Sequence, residues 1–189
     1  AGRGRAGAAS GAREAAARLM LGGGTGRGPH VASVMVSSAL SCEPRHLVTL
    51  AVARALRDFR RRTLIVDCDV SGTSLSQILG VAHLPGLTQL QADRVDAQPY
   101  IIPAAEEGLD FLPAGTPRGA SAWVDPVLLR ATLDTVRRDY DAVVVNGPAM
   151  MSSAESLLLA SHVEQVILAV FPGTSCWDDL AATEEMASQ

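Results

Sequence analysis

The sequence contains no lysine: all sixteen basic residues among its 189 are arginines. No side chain can therefore form a Schiff base, and no compact ammonium is at hand to touch a phosphate or act as a base. Cysteine is scarce and odd in number (Cys42, Cys68 and Cys176). That excludes a disulfide framework and favours a reducing cytoplasm. No apolar run approaches the roughly 20 residues needed to span a bilayer. The best N-terminal candidate, "AAARLML" (15–21), is short and carries Arg18, which argues against a signal peptide. There is no excess of positive charge either. The net charge of −4 lacks the basic signature of a nucleic-acid binder. What is abundant is apolar: 48% of the residues are hydrophobic, enough for one domain with a sizeable core.

Residues 1–30 read as a flexible tail. "AGRGRAGAASGA" (1–12) is low-complexity, "REAAARLML" (13–21) favours a short helix, and "GGGTGRGPH" (22–30) reads as a linker. Glu14 and Arg18 have the i,i+4 spacing of a helical ion pair. From residue 31 to 189 one domain is expected. Strands are predicted over 31–38, 63–69, 109–115, 141–148 and 164–172. Helices are predicted over 44–59, 72–80, 86–94, 125–140 and 153–162, with a last one beginning near Trp177. Near-continuous apolar strands alternating with helices imply a parallel sheet of about five to seven strands in an α/β fold, with helices on both faces. In such folds ligands bind outside the carboxyl ends of the strands. Three loops then matter: "SSALSCEPRH" (37–46), "LIVDCDVSG" (64–72) and "YDAVVVNGPAM" (140–150).

Their order and spacing resemble the cytoplasmic ATPase domain of the bacterial tyrosine kinases (BY-kinases) that control capsule and exopolysaccharide export. Those kinases belong to the deviant P-loop class that includes the ParA/MinD-type ATPases. The family pattern runs T-S-x-x-P-G-E-G-K-S/T, then an aliphatic strand ending D-x-D, then Y-D-x-aliphatic-D-x-P-P. "PGLTQLQADR" (85–94) and "GLDFLPAGTP" (108–117) are also similar to family segments, so the resemblance covers about residues 31–180. It implies a P-loop NTPase-like fold, and ATP or ADP with Mg²⁺ at the first loop.

The departures fall on the demanding positions. The last loop glycine is Pro44, which has no N–H to offer a phosphate. The lysine is Arg45, a planar fork in place of a point charge. The metal-binding hydroxyl is His46, a poor partner for a hard cation. The carboxylate closing the third motif is Asn146, the only asparagine in the chain, and an upstream glycine is Cys42. Phosphoryl transfer depends on the loop and its metal, so four such losses predict a site that no longer performs it. Cys42, Pro44, Arg45, His46, Asp67, Asp69 and Asn146 then form a vestigial nucleotide site, with no catalytic residues, no metal ligands and no cofactor expected. Asp67 and Asp69 read first as turn or cap residues. A soft-metal site of Cys42, His46 and Cys68 lacks zinc spacing and a fourth ligand, and buried structural cysteine is the expectation. His162 reads as a helix cap or surface residue. "RDFRRR" (57–62) reads as a solvated helix end, whose cations complement the helix dipole.

The function implied is a catalytically inactive relative, a pseudokinase that regulates or scaffolds exopolysaccharide or capsule synthesis or export, chain-length regulation included. Its partner would be a membrane-embedded polysaccharide co-polymerase or synthase component, with a homo- or hetero-oligomer allowed and no nucleic acid. The expected place is cytoplasmic, at the inner membrane through that partner or a missing transmembrane part. The fold would continue past "AATEEMASQ", so a truncated or shorter C-terminus is expected. Two alternatives stand beside this reading. One is an active ATPase or kinase in which Arg45 binds phosphate and Asp67 or Asp69 holds the metal. The other is a degenerate ParA/MinD-type localisation factor.

Overall fold

The computed structural model describes residues 11–18, 32–70, 74–93, 96–104, 106–116, 124–152 and 154–187. Of the tail expected over 1–12, residues 1–10 lie outside them and 11–12 belong to a helix instead; residues 19–21 of the expected helix over 13–21 and the linker expected over 22–30 also lie outside them. Six strands form one sheet: β1 (Ala32–Ser38), β2 (Thr63–Asp67), β3 (Ile102–Pro103), β4 (Leu109–Leu112), β5 (Ala142–Asn146) and β6 (Gln165–Ala169). Their order is β3-β4-β2-β5-β1-β6. Every pairing is parallel except β3 with β4. The helices are α1 (11–18), α2 (Arg45–Asp58), α3 (Leu75–Ile78), α4 (Leu87–Asp93), α5 (Pro126–Val136), α6 (Glu155–Ala160) and α7 (Trp177–Ala187), with a 3₁₀ turn at Gln98–Tyr100. The sheet size, the parallel pairing and the alternation follow the sequence reading. The antiparallel edge strand β3 does not. It is two residues long and contains a proline, which is tolerated only at an edge.

The inner strands β2 and β5 are buried along their whole length because both faces are covered, whereas the edge strand β6 is partly exposed, and successive side chains serve opposite cores. Met35, Leu64, Val66, Val143 and Val145 join Leu129, Leu133 and Val136 of α5. Val34, Val36, Ile65, Val144 and Phe111 join Val52, Ala53 and Leu56 of α2. Ala12 and Ala16 of α1, one helical turn apart, belong to this second cluster, so α1 lies against the domain. Arg18 Nη2 donates to Glu14 at 2.8 Å, the helical pair that the spacing predicts.

Asp125 starts α5. Its carboxylate accepts the Val127 N–H at 2.8 Å and the Leu128 N–H at 3.4 Å, with Pro126 in the first turn. Asp125→Ala should cost about 1 kcal/mol, read as a shift in the urea midpoint with an unchanged slope.

The "PGL" and "LPAG" segments turn out to be one contact. The Leu87 and Thr88 amides donate to the Pro113 and Ala114 carbonyls at 2.8 and 3.0 Å. A Cβ on Gly86 would lie 2.1 Å from the Pro113 oxygen, and Gly115 adopts φ +87°. Both glycines are therefore required by close backbone approach. The two segments couple α4 to the carboxyl end of β4.

Candidate functional site

The parallel register brings the carboxyl ends of β1, β5 and β2 side by side. Val36 pairs with Asn146, and Asn146 pairs with Asp67. The loops after these strands meet there, as the fold class predicts.

Asp67 lies at the centre and is fully buried. Its Oδ2 accepts the Ser76 N–H and the Ser76 hydroxyl, both at 2.6 Å. Its Oδ1 accepts Asn146 Nδ2 at 2.8 Å and the Asp69 N–H at 3.3 Å. The last bond is the turn role expected of an Asp at a strand end. Burial is the largest influence on its carboxyl, which is raised to about 6. The bonds from Ser76 and Asn146 pull the other way. Asn146 passes the network on, since its Oδ1 accepts from the Thr49 hydroxyl at 3.0 Å. An aspartate at 146 would set a second carboxylate against Asp67. The amide instead supplies a donor to Asp67 and an acceptor to Thr49.

Arg45 enters from the first turn of α2, and its side chain is only 3% exposed. The guanidinium reaches inward rather than out of the loop. Nε donates to the Gly147 carbonyl at 2.8 Å, Nη1 lies 3.5 Å from the Ser41 carbonyl, and Nη2 pairs with Asp69 Oδ2. Asp69 is equally enclosed, at 1%. The planar fork serves two different acceptors at once, which a single ammonium cannot do in the same geometry.

The loop itself closes on its own acid. Glu43, 2% exposed, accepts the Leu40 N–H on Oε2 at 2.8 Å and the Ser175 hydroxyl on Oε1. Ser38 Oγ donates to the Leu40 carbonyl at 2.9 Å, and Ser37 Oγ donates to the Pro148 carbonyl at 2.6 Å. Pro44 precedes α2 and makes no side-chain cap. His46 is half-buried. Burial first, and the Arg45 charge second, hold its imidazole below the usual range.

The sequence-predicted residues therefore separate into two groups. Arg45, Asp67, Asp69 and Asn146 come together in one buried network. Cys42 and His46 stay outside it, with Cys42 exposed, contrary to the buried structural role expected for it. Cys68 is buried in the α5-side core, away from its acidic neighbours, as expected. His162 Nδ1 lies 2.8 Å from the Leu158 carbonyl at the end of α6, the cap role predicted. The "RDFRRR" end is solvated as expected, with residues 58, 59, 60 and 62 exposed, while Arg57 pairs with Glu106 and Arg62 stacks 4.7 Å from the Tyr140 ring centre. Glu43, Thr49, Ser76 and Ser175 were not foreseen as members of the site. Glu43 and Thr49 flank the loop and were open to inspection. Nothing local marks Ser175, which lies 132 residues away from Glu43.

No family model matches the chain. It is 27% identical over 125 residues to EpsB of Ralstonia solanacearum, a protein named as a tyrosine-protein kinase. That match covers 66% of this chain and 17% of the relative, so the chain spans about a sixth of the length of the curated relative it matches. The kinase domain of VpsO superposes with a TM-score of 0.78 at 22% identity, over 97% of this chain and 89% of that one. The septum site-determining protein MinD of Pyrococcus horikoshii, solved with Mg-ADP, superposes with a TM-score of 0.65 at 23% identity, over 83% of this chain and 66% of that one. Sequence and fold together relate this chain to the kinase domains of the bacterial tyrosine kinases, within the P-loop architecture shared with MinD.

Proposed function

We propose that this domain is a kinase-like module that has given up nucleotide chemistry and acts by binding, as a regulator or scaffold in exopolysaccharide or capsule synthesis or export. The observation that carries the reading is the direction of Arg45. Its guanidinium is spent on Asp69 and the Gly147 carbonyl inside the protein, at the position where the related kinases place a lysine. The residues present do not fit a Mg²⁺–nucleotide. Both oxygens of Asp67 already accept hydrogen bonds, Asp69 holds Arg45, and Glu43 takes the Leu40 amide that would otherwise face an anion. The metal-binding hydroxyl is replaced by an imidazole, and the strand-end carboxylate by an amide. The same network gives the fold a reason to persist without nucleotide, because its buried charges are satisfied internally.

The partner suggested by the resemblance is a membrane-embedded co-polymerase or synthase component, which would place the domain at the inner membrane. No helix among the described residues is long and apolar enough to cross a membrane.

The test is a thermal-shift titration with ATP and ADP, with and without Mg²⁺. A ligand at 100 times its Kd stabilises by about 2.7 kcal/mol. The expected result is no shift at millimolar nucleotide. A Mg²⁺-dependent shift with phosphate release would overturn the reading in favour of an active ATPase. Deletion in the source cell is expected to change polymer yield or chain length, and an unchanged polymer counts against the polysaccharide assignment.

A further inference from the structure

Two of the three thiols lie on the same seam. Cys42 is in the turn after β1 and Cys176 lies just before α7, and both are exposed. Their immediate neighbours, Glu43 and Ser175, are joined by a hydrogen bond between side chains. That contact is built into both loops. Glu43 also holds the Leu40 amide, and Ser175 Oγ also accepts the Phe171 N–H at 3.0 Å. Neither cysteine is inside a helix or a strand; Cys176 caps α7, its carbonyl accepting the Leu180 N–H at 3.2 Å. The Cys176 thiol donates to Asp179 Oδ2 at 2.9 Å, an exposed contact that is easily given up. The third thiol, Cys68, is enclosed in the core, and burial pushes it well above its usual range.

We propose that Cys42 and Cys176 form a reversible disulfide, a redox latch that fastens the β6–α7 loop to the loop after β1. The oxidant is a low-molecular-weight disulfide. One cysteine thiolate attacks a sulfur of the oxidant, forming a mixed disulfide and releasing one thiol. The second cysteine thiolate attacks the protein sulfur of that mixed disulfide, forming the Cys42–Cys176 bond and releasing the second thiol. The two protein thiols lose two protons and two electrons in all, and the oxidant takes up both. A disulfide requires Cα atoms within about 7 Å. The Glu43–Ser175 contact already holds the adjoining residues at side-chain reach. In a reducing compartment such an exposed pair is a sensor rather than a permanent staple. The latch is independent of nucleotide binding, so its test stands whether or not the proposed function does.

The experiment equilibrates the purified chain in mixtures of oxidised and reduced glutathione and counts thiols after denaturation. Three thiols are expected under reducing conditions and one after oxidation, with a single intrachain Cys42–Cys176 peptide in the mass spectrum. Cys42→Ser or Cys176→Ser should each abolish the crosslinked peptide, and Cys68→Ser should leave it in place. A second readout is local. The chain carries no lysine or arginine after Arg138, so chymotrypsin is the suitable probe, with a site at Trp177, the Phe171–Pro172 bond being resistant to it. Cleavage there should slow several-fold on oxidation in the wild type and not in Cys42→Ser. Glutathione retained separately on each cysteine, disulfides formed only between chains, or three thiols surviving oxidation would each overturn the proposal.

Discussion

Replacing Arg45 with methionine should lower the stability of the domain by about 3–5 kcal/mol, the usual cost of stranding one member of a buried ion pair. For a domain of this size that corresponds to a fall in Tm of roughly 6–20 °C. The reason lies in the partner. Asp69 has a side chain only 1% exposed, and without the guanidinium its charge stays buried and loses its counter-ion. The Gly147 carbonyl loses its donor in the same step. Arg45→Lys should fall between the two, since an ammonium keeps the charge but cannot serve Asp69 and Gly147 together. The double variant Arg45→Met, Asp69→Leu should recover much of the loss, because removing both charges also removes their desolvation cost. Urea denaturation of the three variants decides the matter. A single-variant loss below about 1 kcal/mol, the range of a surface pair, would mean that the pair is open to solvent and that Arg45 is available to a ligand.

The second large effect concerns pH. Asp67 has its carboxyl raised from 3.8 to about 6, chiefly by burial. The folded protein therefore holds this proton more tightly than the unfolded chain does. The resulting stabilisation is fully present below about pH 3.8 and is lost as pH rises to about 6, beyond which it is flat. A shift of about two units corresponds to about 3 kcal/mol at 1.36 kcal/mol per unit. Other carboxylates titrate in the same window, so the measurement is a difference. Stability curves of the wild type and Asp67→Asn are taken between pH 4.5 and 7.5. The wild type should lose stability relative to the variant as pH rises through this range, and the gap should stop changing above pH 7. Parallel curves would show that Asp67 is ionised throughout, held by its Ser76 and Asn146 donors strongly enough to cancel burial.

The two effects share a cause. A P-loop site concentrates charge at the carboxyl ends of parallel strands and balances it with a bound ligand. Here the balance is internal. Arg45 answers Asp69, Asn146 answers Asp67, and Glu43 answers its own loop amide. Arg45 and Asn146 look like losses when compared with the family pattern, yet both side chains have acquired partners in the folded chain, which those of Cys42, Pro44 and His46 have not among the described residues.

Much of this was written in the chain itself. The β–α alternation, the covered sheet and the strand-end position of the candidate residues follow from apolar runs of strand length separated by amphipathic helices, a pattern that local periodicity carries. The resemblance to the family pattern singled out Pro44, Arg45 and Asn146, and that proline has no amide hydrogen, arginine no compact ammonium and asparagine no carboxylate follows from the residues alone. Three things were decided only by the tertiary structure. The side chain of Arg45 turned inward because a buried acceptor pair lay within its reach, and no local pattern encodes that direction. Glu43 met Ser175 across 132 residues, since β6 lies beside β1 in the sheet although most of the chain separates them. Cys42 became exposed for the same reason. Periodicity specifies which face of an element is apolar, but a loop residue has no such face, and its surroundings are set by whichever distant loop the sheet order brings alongside.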